Sequence, residues 1–145
     1  MRDQVNASGM LHLDLVTIVV DDYDRAIDFY VGILGFVLTE DSKLTTDKRW
    51  VVIRPSLGST GFLIAKAAKT EQAAAIGRQT GGRVSLFLHT DNIDEQLRLW
   101  SSLGVQFEGT PRAESYGRVV VFVDVYGNRW DLIEPRQTRV TDVGD

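Results

Sequence analysis

The sequence predicts an α+β domain built from two tandem βαβββ units, residues 13–65 and 83–134. Three observations carry that prediction. Apolar stripes of helical period recur in both halves at a fixed offset. Each stripe follows a short polar capping residue and ends at glycine, and three β-rich runs close each half.

Residues 13–20 are rich in β-branched side chains and read as a buried strand. Asp21 and Asp22 offer an N-cap, because a short carboxylate accepts from the first unpaired helix amides. Tyr23, Ile27, Tyr30 and Leu34 follow at helical spacing, and Gly35 supplies the left-handed stop. Strands are expected over residues 36–38, 50–53 and 62–65, with a turn from Pro55 to Gly61 between the last two.

The second unit keeps that order. Residues 84–89 form its first strand, and Asp91-Asn92 its cap, with Glu95 placed to complete a capping box. Ile93, Leu97, Trp100 and Leu103 make the stripe, 69 or 70 residues beyond their counterparts, and Gly104 ends it. Strands follow over residues 105–107, 118–122 and 129–133, the last two joined by a Tyr126-Gly127-Asn128 turn. Residues 66–82 join the units as a connector, with an alanine-rich centre suited to a short helix that Gly81-Gly82 would break. One domain is expected over residues 12–135, flanked by a disordered segment 1–11 and a polar tail 136–145.

With 145 residues and 43% apolar content, the chain suits one compact core. A net charge of −4 argues against a nucleic-acid partner, which favours a basic face. No apolar run approaches the ~20 residues that span a membrane. The opening residues lack the charged-then-apolar order of a signal peptide. There is no cysteine, hence no disulfide, thiolate metal site or cysteine nucleophile, and a cytoplasmic location is expected.

Val20-Asp21-Asp22-Tyr23-Asp24-Arg25-Ala26-Ile27-Asp28-Phe29-Tyr30, with Leu34-Gly35-Phe36, resembles the opening wording of the vicinal oxygen chelate superfamily. Glyoxalases, extradiol dioxygenases and bleomycin-resistance proteins belong to it. Residues 123–134 resemble its closing turn and last strand, with Val125 where proline is often found. Residues 76–84 and 111–117 are similar to a bacterial subgroup of unassigned activity. The resemblance covers about residues 12–135 and implies that each unit curls its sheet into half a barrel, helices outside. The concave side is then the site, and a homodimer is the expected assembly.

Metal-dependent members carry four inward ligands. The resemblance maps these onto Leu15, one apolar residue among Phe62, Leu63 and Ile64, then Ser85 and Asp131. Those four groups cannot hold a divalent ion, which needs three or four His, Asp or Glu donors, so no metal or other cofactor is expected. The two histidines are poorly placed: His12 falls on the other face from Leu15, and His89 stands ~13 Å along the strand from Ser85.

Alternation turns Leu15, Thr17, Val19, Ser85, Phe87, His89, Arg129, Asp131 and Ile133 to the concave side. Asp131 is the candidate catalytic residue, a general acid or base, against a structural reading in which an arginine or backbone amides satisfy it. Thr17, Trp50, Ser85, Phe87, His89 and Tyr116 are the candidate ligand contacts. Trp50, Tyr116 and Trp130 offer flat faces for stacking, or core and interface packing, and Trp130 alternates toward the helices. Arg49, Arg54 and Arg112 are candidate anion clamps, or solvated surface residues. Ser85 lacks a His–Asp partner in the pattern, which leaves a nucleophile role weak.

Two functions compete. The first is a metal-free protein that binds a small, partly aromatic molecule, an acidic surface suiting a cationic guest. The second is a metal-independent lyase- or isomerase-type enzyme in which Asp131, with His89, moves a proton. A metal-dependent glyoxalase I or extradiol dioxygenase ranks third, because those reactions need the ion itself.

Overall fold

The computed structural model describes residues 9–137. The remainder of the expected loose ends, residues 1–8 and 138–145, lies outside the described residues.

Module one comprises β1 (Leu15–Val20), α1 (Tyr23–Ile27), β2 (Val37–Lys43), β3 (Arg49–Arg54) and β4 (Gly61–Lys66). Helix α2 (Thr70–Ala75) lies in the joint. Module two comprises β5 (Val84–His89), α3 (Ile93–Ser102), β6 (Gln106–Glu114), β7 (Gly117–Val123) and β8 (Arg129–Pro135). The modules form two four-stranded sheets, ordered β1-β4-β3-β2 and β5-β8-β7-β6. In each, the first strand runs parallel to the last and the other pairs are antiparallel. Neither sheet closes. The predicted α+β class and the doubled βαβββ order are present.

Both helix caps are as expected: the Asp22 carboxylate accepts from the Arg25 amide at 2.8 Å, and Asn92 Oδ1 from the Glu95 amide at 3.1 Å. The reciprocal half of the capping box is absent. Asn92 N–H donates instead to Thr90 Oγ1 at 3.3 Å, and the Glu95 carboxylate pairs with Arg98. A second departure is the first helix, which widens after Ile27 into a π-helical segment, Asp28–Ile33. The Leu34 amide therefore reaches back five residues to the Phe29 carbonyl, at 2.9 Å. This widening adds Phe29 to the buried stripe of Tyr23, Tyr30 and Leu34. Strands β2 and β6 also run past their predicted ends, to Lys43 and Glu114. Each contains a register shift, at Leu38/Glu40 and at Glu108/Arg112, which breaks the period-two pattern that marks a strand in sequence.

The helix-facing sides of both sheets share one core. Trp130 sits at its centre, with ring centroids of Phe122, Phe62 and Phe36 within 5.9 Å, and is only 1% exposed. Its expected alternation away from the concave side is thereby met. Buried Asp124, at the end of the β7 hairpin arm, organises the polar seam beside it. Its carboxylate accepts from the Tyr126 and Asn128 amides (3.0 and 2.9 Å) and from Asn128 Nδ2 (3.0 Å). Trp130 Nε1 (3.0 Å) and the Tyr30 hydroxyl (2.5 Å) complete five donors. Burial, and then the Asp124 charge, push the Tyr30 pKa well above its ordinary value and keep that hydroxyl a donor. Asp124 thus ties the first module's helix to the second module's closing turn.

Candidate functional site

The concave face of module one opens into a cleft of about 640 Å³. Its floor is small and apolar: Val19 from β1, with Leu63 and Ala65 from β4. Thr17 and Trp50 line it as the sequence predicted, and Tyr23, Lys66 and Gln72 join them. Trp50 is 37% exposed, and its indole Nε1 donates to Glu40 Oε2 at 2.9 Å, which fixes the ring on the rim. A rigid half-exposed aromatic above a small-residue floor is the usual makeup of a small-molecule site.

Arg49 lines the same cleft but is not a free clamp. It pairs with Asp24 at 2.9 Å and Asp41 at 2.8 Å, stacks over the Tyr23 ring at 5.2 Å, and donates its backbone N–H to the Tyr23 hydroxyl. The hydrogen bonds it donates to Asp41 and Asp24 hold its guanidinium pKa above the ordinary value. Arg54 is held by Asp14 at 2.7 Å and the Ser59 carbonyl at 2.9 Å, and Arg112 by Glu114 at 2.9 Å. The three arginines offered as clamps or surface residues are therefore all engaged in ion pairs within the chain.

One contributor escaped the sequence reading. Gln79, in the joint, extends its side-chain amide along the open edge of β1. It accepts from the Val19 amide and donates to the Thr17 carbonyl, both at 2.9 Å, as a neighbouring strand would. Those two residues line the cleft, so the connector sets the backbone beneath it. A glutamine acting 60 residues back leaves no local signal. Gly77 in the same joint approaches the closing turn so tightly that a Cβ would stand 2.0 Å from the Tyr126 carbonyl oxygen.

Module two distributes the remaining candidates. Ser85 falls at a register shift between Val84 and Leu86, so it has no strand partner and leaves the Phe87–His89 row. It lines a separate cavity of about 100 Å³ with Thr17, Gln79 and Asn128. Phe87 pairs with Asp131 and His89 with Ile133 across β5 and β8, and both Phe87 and His89 are exposed. Tyr116 lies in the β6–β7 turn, half-exposed, away from the cleft. Of the predicted contacts, Thr17 and Trp50 share the module-one cleft, Thr17 and Ser85 the small cavity, and Phe87 and His89 a groove of about 490 Å³ with Leu13, Val16 and Pro55. Asp131 is buried, yet its side chain makes no hydrogen bond or ion pair among the described residues. No arginine or backbone amide hydrogen-bonds to its Oδ1 among the described residues, although Arg112 and Arg129 sit within electrostatic reach of it.

Residues 12–132 match the Glyoxalase/Bleomycin resistance protein/Dioxygenase superfamily. The chain belongs to that superfamily. An uncharacterized protein of Shewanella frigidimarina (strain NCIMB 400) is 48% identical over 122 residues, which is 82% of this chain and 90% of that protein. A superfamily member from Sphaerobacter thermophilus DSM 20745 superposes with a TM-score of 0.72 at 30% identity, covering 86% of this chain and 98% of its own. TnmS3, an antibiotic binding protein from Streptomyces sp. CB03234, gives a TM-score of 0.72 at 27% identity, over 90% and 100%.

Many members of this superfamily use a metal, and the inward positions test whether one would fit here. Thr17 pairs with Leu63 as Phe87 pairs with Asp131, so Leu63 is the module-one counterpart of Asp131. The four positions are then Leu15, Leu63, Ser85 and Asp131, with a single carboxylate among them. Among the described residues, no group of three or more His, Asp or Glu side chains is placed to hold an ion. This donor set does not fit a divalent metal. No helix among the described residues is long and apolar enough to cross a membrane.

Proposed function

We propose that this superfamily member binds a small, flat organic molecule in the module-one cleft and holds it without chemical change. The observation that carries this reading is the locked, half-exposed Trp50 above an apolar floor in a cleft of about 640 Å³. A volume in that range suits a drug-sized ligand, and an aromatic wall supplies contact area at little entropic cost. Similarity to an antibiotic binding protein supports the same reading. So do inward positions that offer one carboxylate where metal-based chemistry would need several donors. The protein acts, on this proposal, as a cytoplasmic homodimer, and the exposed Leu13 beside the outer strand β1 is available to an interface. Light scattering that gives a monomer at micromolar concentration would remove the dimer from the proposal.

Titration with ethidium, a flat cation, is expected to give a saturable rise in the dye's fluorescence anisotropy, a signal that does not depend on the tryptophan itself, and a raised Tm. Trp50→Ala should abolish both while leaving the Tm of the free protein within about 2 °C, because the residue is partly exposed. Saturable binding that persists in Trp50→Ala would place the ligand elsewhere and sink the proposal.

A further inference from the structure

Asp131 stands at mid-strand on the concave face of module two, in register between Phe87 of β5 and Val121 of β7. It is 7% exposed, and its Oδ1 is sealed from solvent with no hydrogen-bond partner. A buried acceptor left alone costs stability, and nearly all such atoms in folded proteins are satisfied. The arginines that share this face are already committed. Arg129 donates to both Glu108 oxygens at 2.8 Å, and Arg112 donates to Glu114. Two guanidiniums thus share this face with three carboxyl groups, and their hydrogen bonds go to Glu108 and Glu114, not to Asp131. Around it the floor is apolar, with Val119, Val121 and Ile133 buried. Beside it the Phe87 side chain is uncovered, at 64% exposure.

We infer that module two carries a second binding site, in which Asp131 accepts a hydrogen bond from a protonated amine whose apolar body rests on Phe87. The ammonium supplies the missing donor and gains from the aromatic face. The Arg129–Glu108 and Arg112–Glu114 ion pairs on the same face are made by half-exposed side chains. This site is independent of the module-one cleft, and its failure leaves that reading intact.

The test uses benzylamine as the probe, followed by amide NMR shifts, with benzoate as the control. Benzylamine at millimolar concentration is expected to shift the Phe87, Val121 and Asp131 amides, and benzoate is not. Asp131→Leu keeps the branching of the side chain and removes both oxygens. It should raise Tm by about 3 °C or more, because no partner is lost, and should erase the benzylamine shifts. Asp131→Asn keeps shape and polarity, and should weaken benzylamine at least tenfold in a folded protein. A lower Tm in both variants would show a structural carboxylate and overturn the inference. So would absent benzylamine shifts, shifts that survive Asp131→Leu, or a preference for benzoate. Ethidium binding, read from the dye's anisotropy, should be unchanged in both variants, which separates this outcome from that of the module-one cleft.

Discussion

Modules one and two share a strand order, a capped helix and a glycine stop, yet their concave faces differ in kind. In module one the face is floored by Val19, Leu63 and Ala65 and opens to solvent beneath Trp50. In module two the corresponding strands carry Phe87, Asp131 and Arg129, and an Arg129–Glu108 ion pair crosses the face. Backbone topology is thus common to both, while a few inward side chains decide which half holds an open cleft. The hairpin turns differ as well. Module two's is wrapped around buried Asp124, whereas module one's is held at the surface by Arg54 through Asp14 and Ser59. The lesson is that a repeat conserves a frame for the chain, and the inward residues give each copy a separate task.

The largest effect should follow from breaking the difference between the turns. Asp124→Ala leaves five donors without their acceptor, four of them on buried side chains or a buried amide, and should cost about 3–5 kcal/mol by urea unfolding. Arg54→Ala removes the module-one counterpart at the surface and should cost about 1 kcal/mol or less. Equal losses in the two variants would erase the proposed asymmetry of the hairpins.

A middle-sized effect should come from Gln79, which serves module one alone. Gln79→Ala removes two hydrogen bonds to the edge of β1 and should cost about 1 kcal/mol. Hydrogen exchange at the Val19 amide should quicken, and ethidium affinity should fall. Unchanged exchange there would mean that β1 holds its shape without the joint.

The smallest effect belongs to the ion pair across module two. The Arg129 hydrogen bond holds the Glu108 carboxyl below its ordinary value of 4.5. That stabilisation is therefore present above pH ~4.5 and is lost as pH falls through the lowered folded value. Both side chains are substantially exposed, so solvent screening should limit it to a fraction of a kcal/mol, roughly 0.2–1. Stability profiles of the wild type and Glu108→Gln should converge toward low pH. A constant gap down to pH 3 would assign the pair no role in stability.

Much of the frame was legible because period and punctuation are local. The stripe Ile93, Leu97, Trp100 and Leu103, capped by Asn92, marks α3, and the β-branched run of residues 84–89 is β5. The π widening after Ile27 was not legible, since it turns on how Phe29 and Tyr30 pack against the core and Asp124. Nor were the register shifts, one of which takes Ser85 out of the predicted concave row. The candidate site was legible only in part. Alternation along β1 turned Thr17 to the cleft, while Trp50 was singled out only for its flat face, and Tyr116 and His89 point to other surroundings.

The sequence by itself determined the doubled βαβββ order, the caps and glycine stops, the burial of Trp130 and the shortage of metal ligands. Each is written in residue type and short-range spacing. Tertiary structure alone decided that Gln79 pairs with β1, that Arg49, Arg54 and Arg112 are engaged, and that Asp131 is buried without a partner. Those outcomes depend on which side chains meet across tens of residues, and pairing at that distance has no period to read.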